Sequence, residues 1–322
     1  MSLGRRKLLI SLGIGAGAAL AGGVFAKLGS GKSIEATTVN PSQTSTPTSA
    51  YSAQAESSVI SAGSKPSLRF VGIADTGTGD WGQYAVADSM NAYFKQKPFP
   101  LVILAGDNIY NDGEIEKVKA VFEEPYAKLL KNGVKFRAIL GNHDIRTGNG
   151  EDQIRYKGFN MPSRYYTFRE GLVQFFGIDT NVNSPWKAQL AWLDKSLAES
   201  DAPWKIVFGH HPIYSSGHYG NNQAFIEDLT PIFVKHNVQL YLCGHDHDYE
   251  RTIPIKGTTY IVHGAGSHTR PVGKIPETAF SAAERSFVAF EVWDDRIETK
   301  AIDTKGKSID RATIPLKSLA KA

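Results

Sequence analysis

The sequence predicts an α/β protein in which two packed, mixed β-sheets flanked by helices close on one core as a single domain. Three observations lead there. The first half alternates short, continuous apolar runs, as expected of strands covered on both faces, with segments of helical period. The second half is richer in strand-like runs. Across the 322 residues, no apolar stretch beyond the first segment is long enough to span a bilayer, and the apolar fraction is that of a soluble domain.

Taken in order, the chain begins "MSLGRRKLLISLGIGAGAALAGGVFAK". Arg5 and Arg6 precede a Gly/Ala-rich, weakly hydrophobic stretch with no charge from residue 8 to 26, the pattern of a twin-arginine export signal. Residues 1–26 are assigned as that signal, with cleavage expected after Ala26. An uncleaved membrane anchor is the competing reading, and the five glycines of the stretch weigh against it. The assignment implies the twin-arginine translocation machinery as a partner and a periplasmic or extracellular location. Residues 27–66 are rich in Ser, Thr, Ala, Gly and Pro and cannot bury enough surface to offset their ordering entropy, so they read as a flexible linker. The domain is placed at 67–316, followed by a tail at 317–322.

Within the domain, "LRFVGIA" (68–74), "LVILA" (101–105) and "FRAIL" (136–140) read as buried strands. Val86, Met90, Tyr93 and Phe94 repeat at helical spacing between the first two, and "GEIEKVKAVFEEPYAKLL" does so between the next two. Then come "YYTF", "VQFFGID", "KIVFG", "VQLYLCG" and "TTYIVHG" as strands, with helices over 187–199 and 222–236. "SFVAFEVWDDRIETKAID" reads as a hairpin turning at Asp294-Asp295. The formal net charge is +4, of which Arg5, Arg6 and Lys7 supply three. The remainder is close to neutral and makes no electrostatic case for nucleic acid. The single cysteine, Cys243, excludes an internal disulfide and reads as a small core residue.

Five strand-like runs end in polar clusters: Asp75-Thr76-Gly77, Gly106-Asp107-Asn108-Ile109-Tyr110, Gly141-Asn142-His143-Asp144, Gly209-His210-His211-Pro212 and Gly244-His245-Asp246-His247. All nine histidines fall between 143 and 268. Sites in open α/β sheets lie at the carboxyl ends of strands, so the five clusters point to one crevice. Asp75 follows its strand directly, in the same frame as Asp107 and Asn142. Asp80, in the string Gly79-Asp80-Trp81-Gly82, lies five residues farther on. With Gln83 at the third helical position, Asp80 reads as the cap of the next helix.

The series resembles the blocks of the metallophosphoesterase superfamily, an α/β/β/α sandwich, and more closely the small, tartrate-resistant type of purple acid phosphatase. The resemblance runs over roughly 68–316 and includes "YLCGHDHDYER" and "GAGS". It implies a dinuclear centre, with Fe(III) held by Asp75, Asp107, Tyr110 and His247. A divalent Fe, Zn or Mn would be held by Asp107, Asn142, His210 and His245, with Asp107 bridging. The chemistry agrees, since carboxylate and phenolate oxygens suit a hard trivalent ion, while imidazoles and an amide oxygen suit a borderline divalent one. Phosphodiesterases of the superfamily usually carry His two residues after the first Asp and lack the Tyr; this chain has Gly77 and Tyr110. Protein phosphatases carry Gly-Asp-x-x-Asp-Arg-Gly, against "GDNIYND" here. Ala74 departs from the family's usual Gly before the first Asp.

The reaction implied is hydrolysis of small phosphate monoesters by attack of a metal-bound hydroxide, with His143 and His218 binding substrate and protonating the leaving group. A phosphodiesterase or nucleotide hydrolase on the same site is the alternative, and a non-catalytic metal- or phosphate-binding protein is a more distant one. Asp144 and Asp246 read as orienting neighbouring histidines or capping turns, His211 as pointing away from the site and His236 as a surface residue near a helix end. Arg251 reads as a structural partner of a carboxylate.

Overall fold

The computed structural model describes residues 65–316. The signal segment, nearly all of the linker and the tail assigned above lie outside the described residues. Among the described residues, thirteen strands form two mixed sheets. In the first, β1 (Leu68–Ile73), β2 (Leu101–Leu104) and β3 (Lys135–Ala138) run parallel. On the other side of β1 follow, antiparallel in turn, β11 (Ser286–Val292), β12 (Arg296–Asp303) and β13 (Ser308–Pro315). The second sheet has a parallel centre of β5 (Val173–Gly177), β6 (Trp204–Phe208), β7 (Leu240–Cys243) and β9 (Thr259–His263). It is edged by antiparallel β4 (Tyr166–Glu170) on one side and by β8 (Tyr249–Thr252) and β10 (Thr278–Ala282) on the other.

Strand alternation sorts the apolar residues into layers. Phe175, Ile206, Phe208, Leu240 and Leu242 face the first sheet and join Phe70, Ile73, Phe136 and Phe290 in the main core. Phe70 stacks on Phe290 at 4.4 Å and meets the edge of Phe175, across the sheet interface, at 5.2 Å. The intervening Phe176, Val207 and Tyr241 face outward, onto Leu193 and Leu197 of the helix Trp186–Glu199 and Phe233 of the helix Thr230–Lys235. On the far side, Val86 and Met90 of α1 (Trp81–Gln96) join the core and Tyr93 packs on Phe287 at 5.8 Å. The predicted helix–sheet–sheet–helix order is therefore present. No helix among the described residues is long and apolar enough to cross a membrane.

Three local expectations change. The segment from Gly113 to Leu130 breaks into a 3₁₀ turn (Ile115–Lys117), a π turn (Lys119–Glu123) and α2 (Ala127–Lys131). Pro125 lacks the N–H that would bond the carbonyl of Val121, and the Gln83 amide donates to that oxygen instead, at 2.6 Å. His236 is buried rather than on the surface, its Nε2 lying 2.7 Å from Asp194 Oδ1. The final hairpin gains a third strand, β13.

Candidate metal centre

The five polar clusters follow the carboxyl ends of β1, β2, β3, β6 and β7, all strands with parallel neighbours, so the two sheets deliver them to a common edge. The backbone is shaped for this. Asp75, Asp107 and His245 adopt φ of 57°, 52° and 68°, left-handed conformations that cost of order 1 kcal/mol each and concentrate at functional sites. Glycine is required beside them. A Cβ on Gly141 would lie 2.2 Å from Asp107 Oδ1, and one on Gly244 would lie 2.2 Å from Asp75 Oδ2 and 2.4 Å from the Ala74 methyl. Gly244 thus leaves the room that Ala74 uses, and the departure at position 74 is accommodated.

Asp75 is fully buried and accepts the His245 N–H at 2.9 Å. Asp80 is the α1 cap, accepting from the N–H groups of Gly82 and Gln83 at 2.9 and 3.1 Å. Gln83 Oε1 reaches back to the Gly79 N–H at 2.7 Å, one residue before the position a capping box uses.

The Tyr110 hydroxyl lies 3.1 Å from Asp75 Oδ1, 3.0 Å from Asp107 Oδ2 and 3.2 Å from His247 Nε2. His247 Nε2 is itself 3.3 Å from Asp75 Oδ1. Ligand atoms about 2 Å from a shared ion stand about 3 Å apart, so these four donors fit one ion. The second oxygen of Asp107 faces another set: His210 Nε2 is 3.4 Å from Oδ1 and 3.1 Å from Asn142 Oδ1. The His210 Nδ1–H donates to the Ala105 carbonyl at 2.8 Å, which leaves the Nε2 lone pair facing the centre. The ligand atoms of Asp75, Asp107 and His210 lie within 4.8 Å of one another, as do those of His210, His211 and His245.

The electrostatics fit a cation. Burial disfavours the His210 imidazolium, yet the Asp107 and Asp75 carboxylates hold it up to about 10. Burial opposes the Asp107 charge, yet His210 and His143 hold its carboxyl well below the usual range. A proton on His210 thus fills the place of positive charge that a metal ion would take by displacing it. Burial pushes the Tyr110 phenol far up, and the Asp75 and Asp107 charges add to this, so a phenolate there calls for a strongly charged cation. His211 is held down to about 3 by burial and by His210, and His245 is held far down for the same reasons. Both therefore keep lone pairs available.

His211 does not point away, as the sequence suggested. Thr180 Oγ1 accepts the N–H groups of His210 and His211 at 3.1 and 2.9 Å and lies 2.8 Å from His211 Nδ1. This turns the His211 ring onto His245, 4.4 Å away. His143 does reach the site: its Nδ1 donates to the Asn111 carbonyl at 2.6 Å, and its Nε2 lies 3.9 Å from Asp107 Oδ2 and 3.3 Å from the Arg146 guanidinium. His218 is exposed, with its ring edge-on to Tyr219. Tyr219, which sequence reasoning missed, stacks on His245 at 4.0 Å; its only signal was an aromatic in a rim loop. Asp144 orients no histidine. It accepts from the backbone N–H groups of Asn108, Ile109 and Gly141 and from the Gln153 amide, tying the loops after β2 and β3 together. Arg251 pairs with Asp310 through two bonds of 2.7 and 3.1 Å.

A family model described as calcineurin-like phosphoesterase matches residues 68–249. The chain belongs to this family. Within the calcineurin-like phosphoesterases it is 27% identical to tartrate-resistant acid phosphatase type 5 of Sus scrofa over 303 residues, covering 78% of this chain and 87% of that one. It is 31% identical to purple acid phosphatase 17 of Arabidopsis thaliana over 236 residues, covering 62% and 69%. Among solved structures, the fold matches purple acid phosphatase PPD1 of yellow lupin (TM-score 0.64, 19% identity, 77% of this chain and 53% of that one). It also matches GAP50, described as the anchor in the inner membrane complex of Plasmodium (TM-score 0.68, 24% identity, 78% and 89%).

Proposed function

We propose that this protein is an exported dinuclear-metal acid phosphatase that hydrolyses small phosphate monoesters. Fe(III) is assigned to Asp75, Asp107, Tyr110 and His247, and a divalent Fe, Zn or Mn to Asp107, Asn142, His210 and His245. The observation that carries this reading is the Tyr110 hydroxyl, set 3.0–3.2 Å from two carboxylates and an imidazole. Relatives named tartrate-resistant and purple acid phosphatases support the monoester assignment, and the Arg5-Arg6 leader supports export.

When bound by these residues, the two ions would supply a hydroxide nucleophile below neutral pH and positive charge to stabilise the oxygens of a phosphoryl displacement. The chain does the rest. Asp107 offers one oxygen to each metal set, and the Ala105 carbonyl keeps His210 Nε2 turned inward. With Nδ1–H of His143 committed to Asn111 O, Nε2 is the nitrogen left to face the site. It is the doubly protonated ring that would pass its Nε2 proton to the leaving group and return to the neutral form. The Arg146 guanidinium beside it attracts the anionic ester. His218 is assigned to substrate binding from its exposed rim loop.

The test is an absorption spectrum of the purified, metal-replete protein, with elemental analysis of the same sample. The expected result is a broad visible band with about one iron per chain, lost in Tyr110→Phe, together with faster turnover of an aryl phosphate than of a bis-aryl phosphate. A colourless protein carrying two equivalents of Zn or Mn and preferring the diester would replace this reading with a phosphodiesterase.

A further inference from the structure

The string His245-Asp246-His247-Asp248 presents its side chains alternately to two sides. The imidazoles face Tyr110 and His210. The two carboxylates face the loop 214–219: a Cβ placed on Gly217 would lie 2.6 Å from Asp248 Oδ2 and 2.8 Å from Asp246 Oδ2. Asp246, Asp248 and Glu250 are at most 1% exposed. Asp246 accepts from the Ser215 hydroxyl at 2.6 Å and the Tyr219 N–H at 3.2 Å. Glu250 accepts from the Ser216 N–H at 2.6 Å and the Thr278 hydroxyl at 2.5 Å.

Asp248 differs from both. Neither of its carboxylate oxygens has a hydrogen-bond partner, and the same holds for the buried hydroxyl oxygen of Ser216, one residue before Gly217. Buried carboxylates are normally paired or coordinate a metal, because an uncompensated charge in the interior costs several kcal/mol. Here three carboxylates are packed together, and no ion pair neutralises any of them among the described residues. A cluster of carboxylate and hydroxyl oxygens without nitrogen or sulfur donors suits a hard cation, and Ca²⁺, with its flexible oxygen coordination, suits irregular loop ligands better than Mg²⁺.

We infer that a calcium-type divalent cation binds between the loop 214–219 and the start of β8, held by the carboxylates of Asp248 and Asp246 and the hydroxyl of Ser216. The sequence Gly-His-Asp-His-Asp then interleaves two ligand sets, one for each side of the same turn. The bound cation pins the loop that carries His218 and lays Tyr219 over His245. The inference does not depend on the phosphatase reading, since it uses none of the seven residues assigned to the dinuclear centre.

The experiment is calcium titration of the intact, metal-replete protein by calorimetry and thermal shift, with calcium and transition metals counted separately by elemental analysis. The wild type is expected to take up one equivalent of calcium and to melt higher than in sodium chloride of matched ionic strength. Asp248→Asn is expected to weaken calcium binding at least tenfold while keeping its transition-metal content. Retention of calcium by Asp248→Asn would put the ion elsewhere and overturn the inference, as would a wild type that takes up none or is stabilised equally by sodium. If Asp248→Asn does not fold, Ser216→Ala serves instead. It keeps every charge, and its expected result is severalfold weaker calcium binding; unchanged binding overturns the inference.

Discussion

The proposed roles, Tyr110 as a metal ligand and His143 as a proton donor, predict different traces when each side chain is removed. His143 contacts the Asn111 carbonyl through Nδ1 and the Arg146 guanidinium through Nε2, and comes no nearer to Asp107 Oδ2 than 3.9 Å, so His143→Ala is expected to leave metal content unchanged. Turnover should fall by about 10²–10⁴-fold, the usual worth of a positioned acid, as measured by steady-state kinetics beside elemental analysis; loss of metal would instead make it a ligand. At this scale the sequence was informative where a residue's position follows from its strand. Asp75 was separable from Asp80 because it continues β1 directly, whereas Asp80 falls where a helix must be capped. Ring orientation was not readable in this way. His211 turns inward because Thr180, thirty-one residues away in sequence, meets its Nδ1, and Tyr219 reaches His245 because its loop is tied to Asp246.

At the scale of elements, the start of α1 shows how a local signal and a distant one combine. Asp80 satisfies two of the helix's free N–H groups, so Asp80→Ala is expected to cost about 1 kcal/mol. Urea unfolding should register that loss with the visible band and the metal content unchanged, because Asp80 lies outside the metal centre. Gln83 then joins α1 to the 115–131 segment through Val121 O, an oxygen left free by Pro125. Periodicity alone gave that segment as one helix, since the apolar spacing survives the break while the hydrogen bonding does not. The strands β8, β10 and β13 escaped for a related reason. β10 and β13 lie at sheet edges with a single partner each and little buried apolar surface, so they carry no strong alternation, and β8 lies within a motif read for its chemistry.

For the whole molecule, the interface between the sheets carries one costly group. His263 on β9 is fully buried against Gly72 of β1 and Phe290 of β11, with neither ring nitrogen hydrogen-bonded. Burial holds it down to about 3, whereas in the unfolded chain it takes a proton near 6.5. The unfolded state therefore binds more protons between these values, and stability is lost as the pH falls from about 6.5 toward 3. His263→Leu is expected to flatten that acid limb in urea unfolding at pH 7.5 and 5.0; an unchanged difference between the two pH values would show that His263 does not drive it. The sequence by itself determined the layer order, the strand-end position of every proposed ligand and the family resemblance. All of these depend on short-range periodicity and on residue types fixed to strand ends. Only the tertiary structure decided that Asp107 turns one oxygen to each side of the site, that His211 and Tyr219 pack against His245, and that Asp246 and Asp248 face the loop 214–219 instead. Those outcomes depend on which loops meet across the two sheets, and a contact between residues far apart in the chain leaves no periodic trace in either one.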